Sequence, residues 1–341
     1  MCTALTYTAG EHYFGRNLDL DRSWGETVTV TPRNFPLPFR RAGTLKNHYA
    51  LIGMALVAEG YPLYYDAVNE KGLSMAGLNF PVSAVYQPER AGRDNIAPFE
   101  FIPWILGQCA DLAEARRLLA RVHLADIAFS EKLPPAPLHW LIADQRAAIA
   151  AEPMAEGLQL HENPVGVLTN EPPFAYHMLR LRDFMQLTRE APRGGFAPGL
   201  ELEPYCLGMG AVGLPGDLSS ASRFVRTAFT KLNSVAGGME EERVGQFFHI
   251  LGAAAQTRGC ARAGEGRWEI TIYSSCCNMD RGVYYYTTYE NSRISAVDMH
   301  REDRDGAELT CCPLRRTADI YDQRCGVSGK SAGGAPSGAA L

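Results

Sequence analysis

The sequence predicts a layered α+β fold, because segments with the pattern of strands occupy both ends of the chain and helical patterns lie between them. The chain has 341 residues, of which 46% are apolar and 21% are charged, as in an ordinary globular protein. The two terminal blocks of strands are expected to share the same sheets. We expect one domain over residues 2–323 and a flexible tail over residues 324–341, which is rich in Gly, Ser, Ala and Pro.

The first third of the chain has the pattern of strands. Residues 3–7 and 13–15 form a predicted hairpin around a short polar turn. Residues 27–31 alternate with period two, as a half-buried strand does. Two apolar segments, residues 49–57 and 73–80, complete the predicted strands of this block.

Helical patterns dominate the middle of the chain. Asp111 is a predicted N-cap, with Glu114 three residues later, of a helix that runs to Val122. Further predicted elements are helices over residues 176–187, 220–234 and 240–255, a hairpin over residues 138–151, and terminal strands over residues 268–274, 283–288 and 294–299.

Composition excludes several classes of function. The formal net charge is −5 and no long basic run is present, so neither nucleic acid nor an anionic membrane is an expected partner. We find no targeting segment and no apolar run long enough to cross a bilayer, so the cytoplasm is the expected compartment. The cysteines lack zinc-site spacing and the histidines are dispersed, so we expect free thiols, no metal and no cofactor.

Two glycine motifs match known signatures but lack their context. Residues 208–213 spell G-x-G-x-x-G, but Pro215 follows where a dinucleotide-binding motif would begin a helix, so a turn is expected. Residues 329–333 spell G-x-S-x-G within the predicted tail, outside the packed strand-to-helix turn that a nucleophile elbow requires.

Cys2 directly follows Met1, and its small side chain predicts removal of that methionine. The new N-terminal residue would hold a thiol and a free α-amine, groups whose ordinary pKa values lie within about one unit of each other. The amine can therefore accept the thiol proton and later return it to a leaving amine. A cysteine at position two is not diagnostic by itself.

Arg16 and Asp19 follow the turn of the predicted first hairpin, which returns the chain towards Cys2. A guanidinium group lowers the pKa of a neighbouring thiol, and a carboxylate can orient an ammonium group. The alternative is an exposed Arg–Asp pair, which contributes little. The spacing alone does not choose between these two interpretations.

Several separated stretches match, in order, those of a known family. They are residues 1–3 (MCT), 14–19 (FGRNLD), 69–73 (NEKGL), 76–81 (AGLNFP), 133–140 (LPPAPLHW), 168–170 (LTN), and 214–217 (LPGD) with 222–224 (SRF). On these residues the chain resembles the choloylglycine hydrolase family, which holds bile salt hydrolases and penicillin V acylases. The resemblance implies the four-layer αββα sandwich of N-terminal nucleophile hydrolases and a homotetramer.

The resemblance also implies a set of catalytic residues. They are Cys2 as nucleophile and base, Arg16 and Asp19 around it, the side-chain amide of Asn170 and the backbone N–H of Asn79 as oxyanion-hole donors, and Arg223 as a buried arginine of the network. Without the family, Asn79 and Asn170 would be interpreted as turn residues and Arg223 as a helix-surface residue.

The expected substrate depends on fewer residues. The resemblance places Asn79 where bile salt hydrolases carry asparagine and penicillin V acylases tend to carry tyrosine. Stretches that match the family's pocket supply the apolar side chains Leu18, Trp24, Tyr65, Phe129 and Leu133, each of which could also be an ordinary core residue.

We therefore expect a cysteine amidohydrolase that cleaves glycine- or taurine-conjugated bile salts through a thioester acyl-enzyme. The sequence does not separate glycine from taurine conjugates. One alternative is an acylase for penicillin V or another N-acyl amide, and an alternative of a different class is a non-catalytic steroid- or lipid-binding protein.

Overall fold

Residues 1–323, which the computed structural model describes, form strands at both ends and helices mainly in the middle. The strands of the N-terminal half are β1 (Cys2–Ala9), β2 (Glu11–Leu20), β3 (Thr27–Thr31), β4 (Leu37–Phe39), β5 (Gly43–Leu45), β6 (Leu51–Ala58), β7 (Tyr61–Asn69), β8 (Ser74–Asn79), β9 (Asp94–Ile96), β10 (Val122–Leu124), β11 (Leu138–Ala143), β12 (Ala148–Met154), β13 (Gly157–Glu162) and β14 (Val167–Leu168). Those of the C-terminal part are β15 (Arg262–Gly264), β16 (Arg267–Trp268), β17 (Ile270–Asn278), β18 (Val283–Thr288), β19 (Ser295–Asp298) and β20 (Thr310–Pro313).

The helices lie largely between these blocks. The α-helices are α1 (Phe101–Gln108), α2 (Leu112–Leu119), α3 (Phe174–Arg180), α4 (Ser220–Asn233) and α5 (Glu240–Gly252). Short 3-10 turns cover Pro98–Glu100, Leu181–Phe184, Met209–Ala211 and Met299–Arg301.

Two antiparallel sheets contain most of the strands. The first has six strands in the order β14-β1-β2-β17-β18-β19, and the second has eight in the order β13-β12-β11-β8-β7-β6-β3-β20. The N-terminal hairpin pairs with β17, and the C-terminal β20 pairs with β3. The prediction that the two ends of the chain share the sheets is therefore confirmed.

The two sheets stack and helices cover their outer faces. Strands β1 and β2 contact β7 and β8 of the other sheet, α4 and α5 pack on β1, and α1 packs on β6, β7 and β8. One hydrophobic cluster lies between the sheets and under α4 and α5, and a second lies between the eight-stranded sheet and the helices α1 and α2. This is the expected four-layer αββα sandwich.

Local signals agree with the structure where polar residues mark an end or a face. Strands β3 and β18 have the predicted bounds. The Asp111 carboxylate accepts the N–H of Glu114 at 2.8 Å and caps α2, which ends at Leu119 rather than at Val122. The glycine motif at residues 208–213 forms a turn around Met209–Ala211, as predicted.

Two of the differences have a common cause, which is burial on more than one face. Helix α1 was not predicted, because seven of its eight residues are buried and an apolar run has no 3.6-residue periodicity. Strand β7 was also missed, because it lies inside a sheet that is covered on both faces. The helix predicted over residues 176–187 is α3 followed by a 3-10 turn.

Within residues 1–323 no helix is long and apolar enough to span a membrane. No group of His, Cys, Asp and Glu side chains in the same range is arranged to hold a metal ion. All cysteines of this described part of the chain are free. The predicted tail and the motif at residues 329–333 lie outside the described residues.

We expect Gly15→Ala to destabilise the fold strongly, since β2 and β17 approach closely at this residue. A Cβ atom on Gly15 would overlap the main-chain oxygen of Ser275 and lie 2.9 Å from Cα of Cys276. Overpacking of this kind costs about 1–3 kcal/mol or more. Urea unfolding at equilibrium measures the effect.

Gly245→Ala is the matched control. Gly245 lies within α5, and a Cβ atom there meets nothing within 4 Å. Because alanine has the higher helix propensity, we expect this variant to gain about 0.5–1 kcal/mol. A Gly15→Ala protein as stable as the unmodified chain would contradict the close approach of the two strands.

Candidate active site

Cys2 begins β1, which lies between β2 and β14 in the six-stranded sheet. Its register partner on β2 is Leu18. Cys2 is only 2% exposed and lines a cavity between the sheets. The position of β1 between β2 and β14 therefore places the thiol of Cys2 inside the protein rather than at its surface.

Arg16 lies on β2 and is fully buried beside this cavity. Its Nη1 donates to the carbonyl oxygen of Tyr65 at 3.0 Å and to that of Gly77. Burial by itself lowers the pKa of Arg16, but the electrostatic interactions with Cys2, Tyr273 and Asp66 outweigh the effect of burial and raise the pKa above its ordinary value. A permanent positive charge therefore faces Cys2.

Asp19 lies on the same strand and is also fully buried. Its Oδ1 accepts a hydrogen bond from Oγ1 of Thr271 at 2.7 Å, and its Oδ2 is 4.0 Å from Nη1 of Arg223. Burial raises the pKa of Asp19, against the opposing charge of Arg223. The interpretation of Arg16 and Asp19 as an exposed pair is wrong, since neither side chain reaches solvent.

Asn170 follows β14, the strand that pairs with β1 on the side opposite β2. Its Oδ1 accepts the N–H of Cys2 at 2.6 Å and Nη2 of Arg223 at 2.7 Å. Its Nδ2 donates to the carbonyl oxygen of Asn79 at 2.7 Å. Because the first two partners are donors, the orientation of the amide is fixed, and Nδ2 keeps a second hydrogen for another acceptor.

Arg223 projects from α4 towards the start of β1 and is fully buried. Its Nη1 donates to the carbonyl oxygen of Cys2 at 2.5 Å and to Oγ1 of Thr3 at 2.6 Å. Burial lowers the pKa of Arg223, whereas Asp19 raises it. Arg223 is therefore not a helix-surface residue.

Asn79, in contrast, ends β8 with an exposed side chain and lines the cavity.

Met1 precedes Cys2 and is still attached to it in this structure. Its ammonium group donates to the carbonyl oxygen of Asp19 at 3.0 Å and contacts the carboxylate of Glu269. Burial lowers the pKa of this ammonium group, while Cys2 and Asp19 raise it. While Met1 is attached, the nitrogen of Cys2 is a peptide nitrogen and cannot act as a base.

The cavity at Cys2 has a volume of about 340 Å³ and a mainly apolar lining. Every predicted substrate-binding residue lines it, namely Leu18, Trp24, Tyr65, Phe129 and Leu133. Sequence reasoning missed further lining residues, which are Leu20, Leu56, Leu63, Tyr64, Gly77, Pro98, Phe99, Ile102, Pro134, Pro135, Ala136, Leu138 and Trp140. Of these, Pro134, Pro135, Ala136, Leu138 and Trp140 lie within a stretch that already matched the family.

The predicted catalytic residues divide into two groups. Cys2, Arg16 and Asn79 line the cavity, whereas Asp19, Asn170 and Arg223 do not belong to its lining. Asn170 and Arg223 instead hydrogen-bond to the main chain of Cys2. The arrangement offers a thiol and a buried cation at an apolar cavity, with a partly unused amide donor bonded to the main chain of Cys2, and this combination suits attack on the carbonyl carbon of an amide.

Comparison with known proteins agrees with this geometry. The family of linear amide C–N hydrolases, choloylglycine hydrolase family, matches residues 2–312. A bile salt hydrolase/transferase of Lactiplantibacillus plantarum is 51% identical over 321 residues, which cover 94% of this chain and 99% of that protein. One of Clostridium perfringens is 37% identical over 330 residues, with coverage of 94% and 99%.

Solved structures give the same result. The C2A mutant of conjugated bile acid hydrolase from Clostridium perfringens superimposes with a TM-score of 0.87 at 36% identity, over 95% of this chain and 100% of that one. Penicillin V acylase from Agrobacterium tumefaciens, at 19% identity and a TM-score of 0.72 over 91% and 90% of the two chains, shares the fold. From the matched residues and the common architecture, the chain belongs to the choloylglycine hydrolase family of linear amide C–N hydrolases.

Proposed function

We propose that this protein hydrolyses the amide bond of glycine- or taurine-conjugated bile salts, with Cys2 as the nucleophile. The observation that carries the proposal is the position of Cys2 and Arg16 at an apolar cavity in a chain 51% identical to a bile salt hydrolase/transferase. A cavity of about 340 Å³ lies within the range of small-molecule sites, and its aromatic and aliphatic walls suit the apolar rings of a steroid.

The nucleophile is generated when Met1 is removed. The free α-amine of Cys2 accepts the proton of its own thiol, and the positive charge of Arg16 favours the thiolate. Asp19, whose carboxylate is buried near the same end of β1, offsets the positive charge that the amine acquires. The carbonyl oxygen of Asp19, which binds the Met1 ammonium group at 3.0 Å, becomes available to the new amine.

The thiolate then attacks the carbonyl carbon of the substrate amide. The developing oxyanion accepts one hydrogen bond from the second N–H of Asn170 Nδ2 and another from the backbone N–H of Asn79. Collapse of the tetrahedral intermediate breaks the C–N bond, and the Cys2 ammonium group gives its proton to the departing glycine or taurine. Water attacks the resulting thioester by the same route and releases the bile acid.

Arg223 organises this machinery without contacting substrate. One guanidinium group binds the carbonyl oxygen of Cys2 and Oδ1 of Asn170, so that the nucleophile and the oxyanion donor keep a fixed relative position.

The same proposal includes a single domain over residues 2–323, a homotetramer and a cytoplasmic location.

We expect a higher kcat/KM for glycocholate and taurocholate than for penicillin V. The reason is the broad apolar lining around Asn79. Steady-state assays of the three substrates side by side check this. Preference for penicillin V would point to the acylase alternative, and turnover of none of them would point to a binding protein.

We expect the active protein to begin at Cys2, because the base is the free amine. Intact-mass measurement of active enzyme checks this, and active protein that retains Met1 would contradict the mechanism.

Cys2→Ala is expected to abolish turnover. Its matched control is Cys206→Ala, which removes an exposed thiol that does not line the cavity and should leave turnover unchanged.

We expect Asn170→Ala to lower kcat far more than it raises KM. The carbonyl oxygen gains its full charge in the tetrahedral intermediate, so a donor aimed at it binds the transition state better than the ground state. Loss of one such donor costs about 10²–10³ in kcat, or about 2.7–4 kcal/mol. Steady-state kinetics on glycocholate measure this loss of kcat, and circular dichroism checks that the variant is folded. A folded variant with normal kcat would exclude Asn170 from the oxyanion hole.

A further inference from the structure

His139 is a fully buried residue of β11 that the mechanism above does not use. Its Nε2 lies 2.8 Å from the carbonyl oxygen of Thr169, and its Nδ1 lies 3.0 Å from Oε1 of Glu152. Its ring stacks on that of Phe80, with centroids 4.2 Å apart and an interplanar angle of 5°. Since a carbonyl oxygen can only accept, Nε2 carries a proton and donates it to Thr169.

These contacts place one imidazole between the main-chain segments that carry the two proposed oxyanion donors. Thr169 directly precedes Asn170, and Phe80 directly follows Asn79. The strands that carry the two donors belong to different sheets, since β8 is in the eight-stranded sheet and β14 is in the six-stranded sheet. The separation of the donors therefore depends on how the sheets are held together at this point.

Glu152 fixes the position of the imidazole. Its side chain is 1% exposed, and Oε1 accepts the N–H of Phe174 at 2.9 Å in addition to its contact with His139. Phe174 begins α3. The carboxylate thus joins β12 and α3 to the histidine, which cannot rotate without breaking a buried hydrogen bond.

A second buried histidine supports the same segment from α3. Nε2 of His177 lies 2.9 Å from the carbonyl oxygen of Asn170, and burial lowers the pKa of His177 to about 4. The N–H of Asn170 donates to Oγ of Ser220 at 2.8 Å. The main chain on both sides of the Asn170 side chain is therefore held by side chains from other elements. Among the three side chains His139, His177 and Ser220, His139 is the one that also contacts the segment of Asn79.

We propose that His139, held by Glu152, is a positioning residue that sets the distance between the oxyanion donors Asn79 and Asn170. This inference rests on the proposed function. His139 is not part of the cavity lining, so it acts through the two donors and not on the substrate. A displacement of about 1 Å at a reacting group can cost about 10²-fold in rate, so the spacing of the donors is a sensitive quantity.

The test compares His139→Phe with His139→Gln on glycocholate. Phenylalanine keeps a ring against Phe80 but loses both hydrogen bonds, and we expect kcat per folded molecule to fall by about 10–10²-fold with KM nearly unchanged. Glutamine can still donate to Thr169, so it should recover part of the loss. A folded His139→Phe enzyme with normal kcat would overturn the inference.

His48→Phe is the matched control. His48 is also buried, and its two ring nitrogens lie 2.7 Å and 2.9 Å from the carbonyl oxygens of Tyr49 and Phe35, away from the donors. The His48→Phe enzyme should be less stable than the unmodified enzyme but keep its kcat. An equal loss of kcat in His48→Phe would mean that the effect at His139 is a general consequence of a damaged core, and would also overturn the inference.

A double-mutant cycle separates positioning from structural support. If His139 acts partly through Asn170, His139→Phe must reduce kcat by a smaller factor in an Asn170→Ala enzyme than in the unmodified one. Equal factors in the two backgrounds would contradict the proposal. If His139→Phe does not fold, Glu152→Gln takes its place in the cycle. An unmodified enzyme inactive on every bile salt would refute the proposed function itself, a result distinct from these.

Discussion

A single buried cation, the guanidinium group of Arg223, connects the elements on which the candidate site depends. It binds the main chain of Cys2, the side chain of Thr3 and the amide oxygen of Asn170, and it lies near the carboxylate of Asp19. A buried charge is tolerated only when hydrogen bonds and an opposite charge replace its hydration. The need to satisfy Arg223 therefore holds α4, β1 and the end of β14 in one relative position.

The stacking of the two sheets supplies the other half of the site. The six-stranded sheet carries Cys2 and Arg16, whereas strands β6, β7, β8 and β11 of the eight-stranded sheet supply much of the cavity wall. Arg16 crosses this boundary, since it lies on β2 and donates to carbonyl oxygens of β7 and β8. The buried carboxylate of Asp66 interacts favourably with the charge of Arg16. Asp66 in turn accepts hydrogen bonds from Tyr273 at 2.6 Å and Tyr284 at 2.7 Å.

This division has a consequence for catalysis. The proposed nucleophile begins a strand of the first sheet and one proposed oxyanion donor follows another strand of that sheet, while the other proposed donor ends a strand of the second sheet. Packing between sheets is non-directional, so polar contacts across the boundary must define the geometry. The contact from Nδ2 of Asn170 to the carbonyl oxygen of Asn79 and the contacts of His139 serve this purpose.

The sequence by itself determined the fold class, the first hairpin and the family, because alternating strands, capped helices and short ordered motifs are local signals. It also indicated Cys2, Arg16 and Asp19, since a two-stranded hairpin brings its ends together without help from the rest of the chain. Helix α1, which is almost entirely buried, and strand β7, which lies in a sheet covered on both faces, gave no periodic signal.

The tertiary structure alone decided which polar residues meet. Asn170 and Arg223 bond to Cys2 across 168 and 221 residues of chain, and no spacing rule reaches that far. The same holds for His139, which in the sequence is one dispersed histidine among eight. Its contacts exist because two sheets pack face to face, and long-range packing of this kind is encoded in the whole chain rather than in any local pattern.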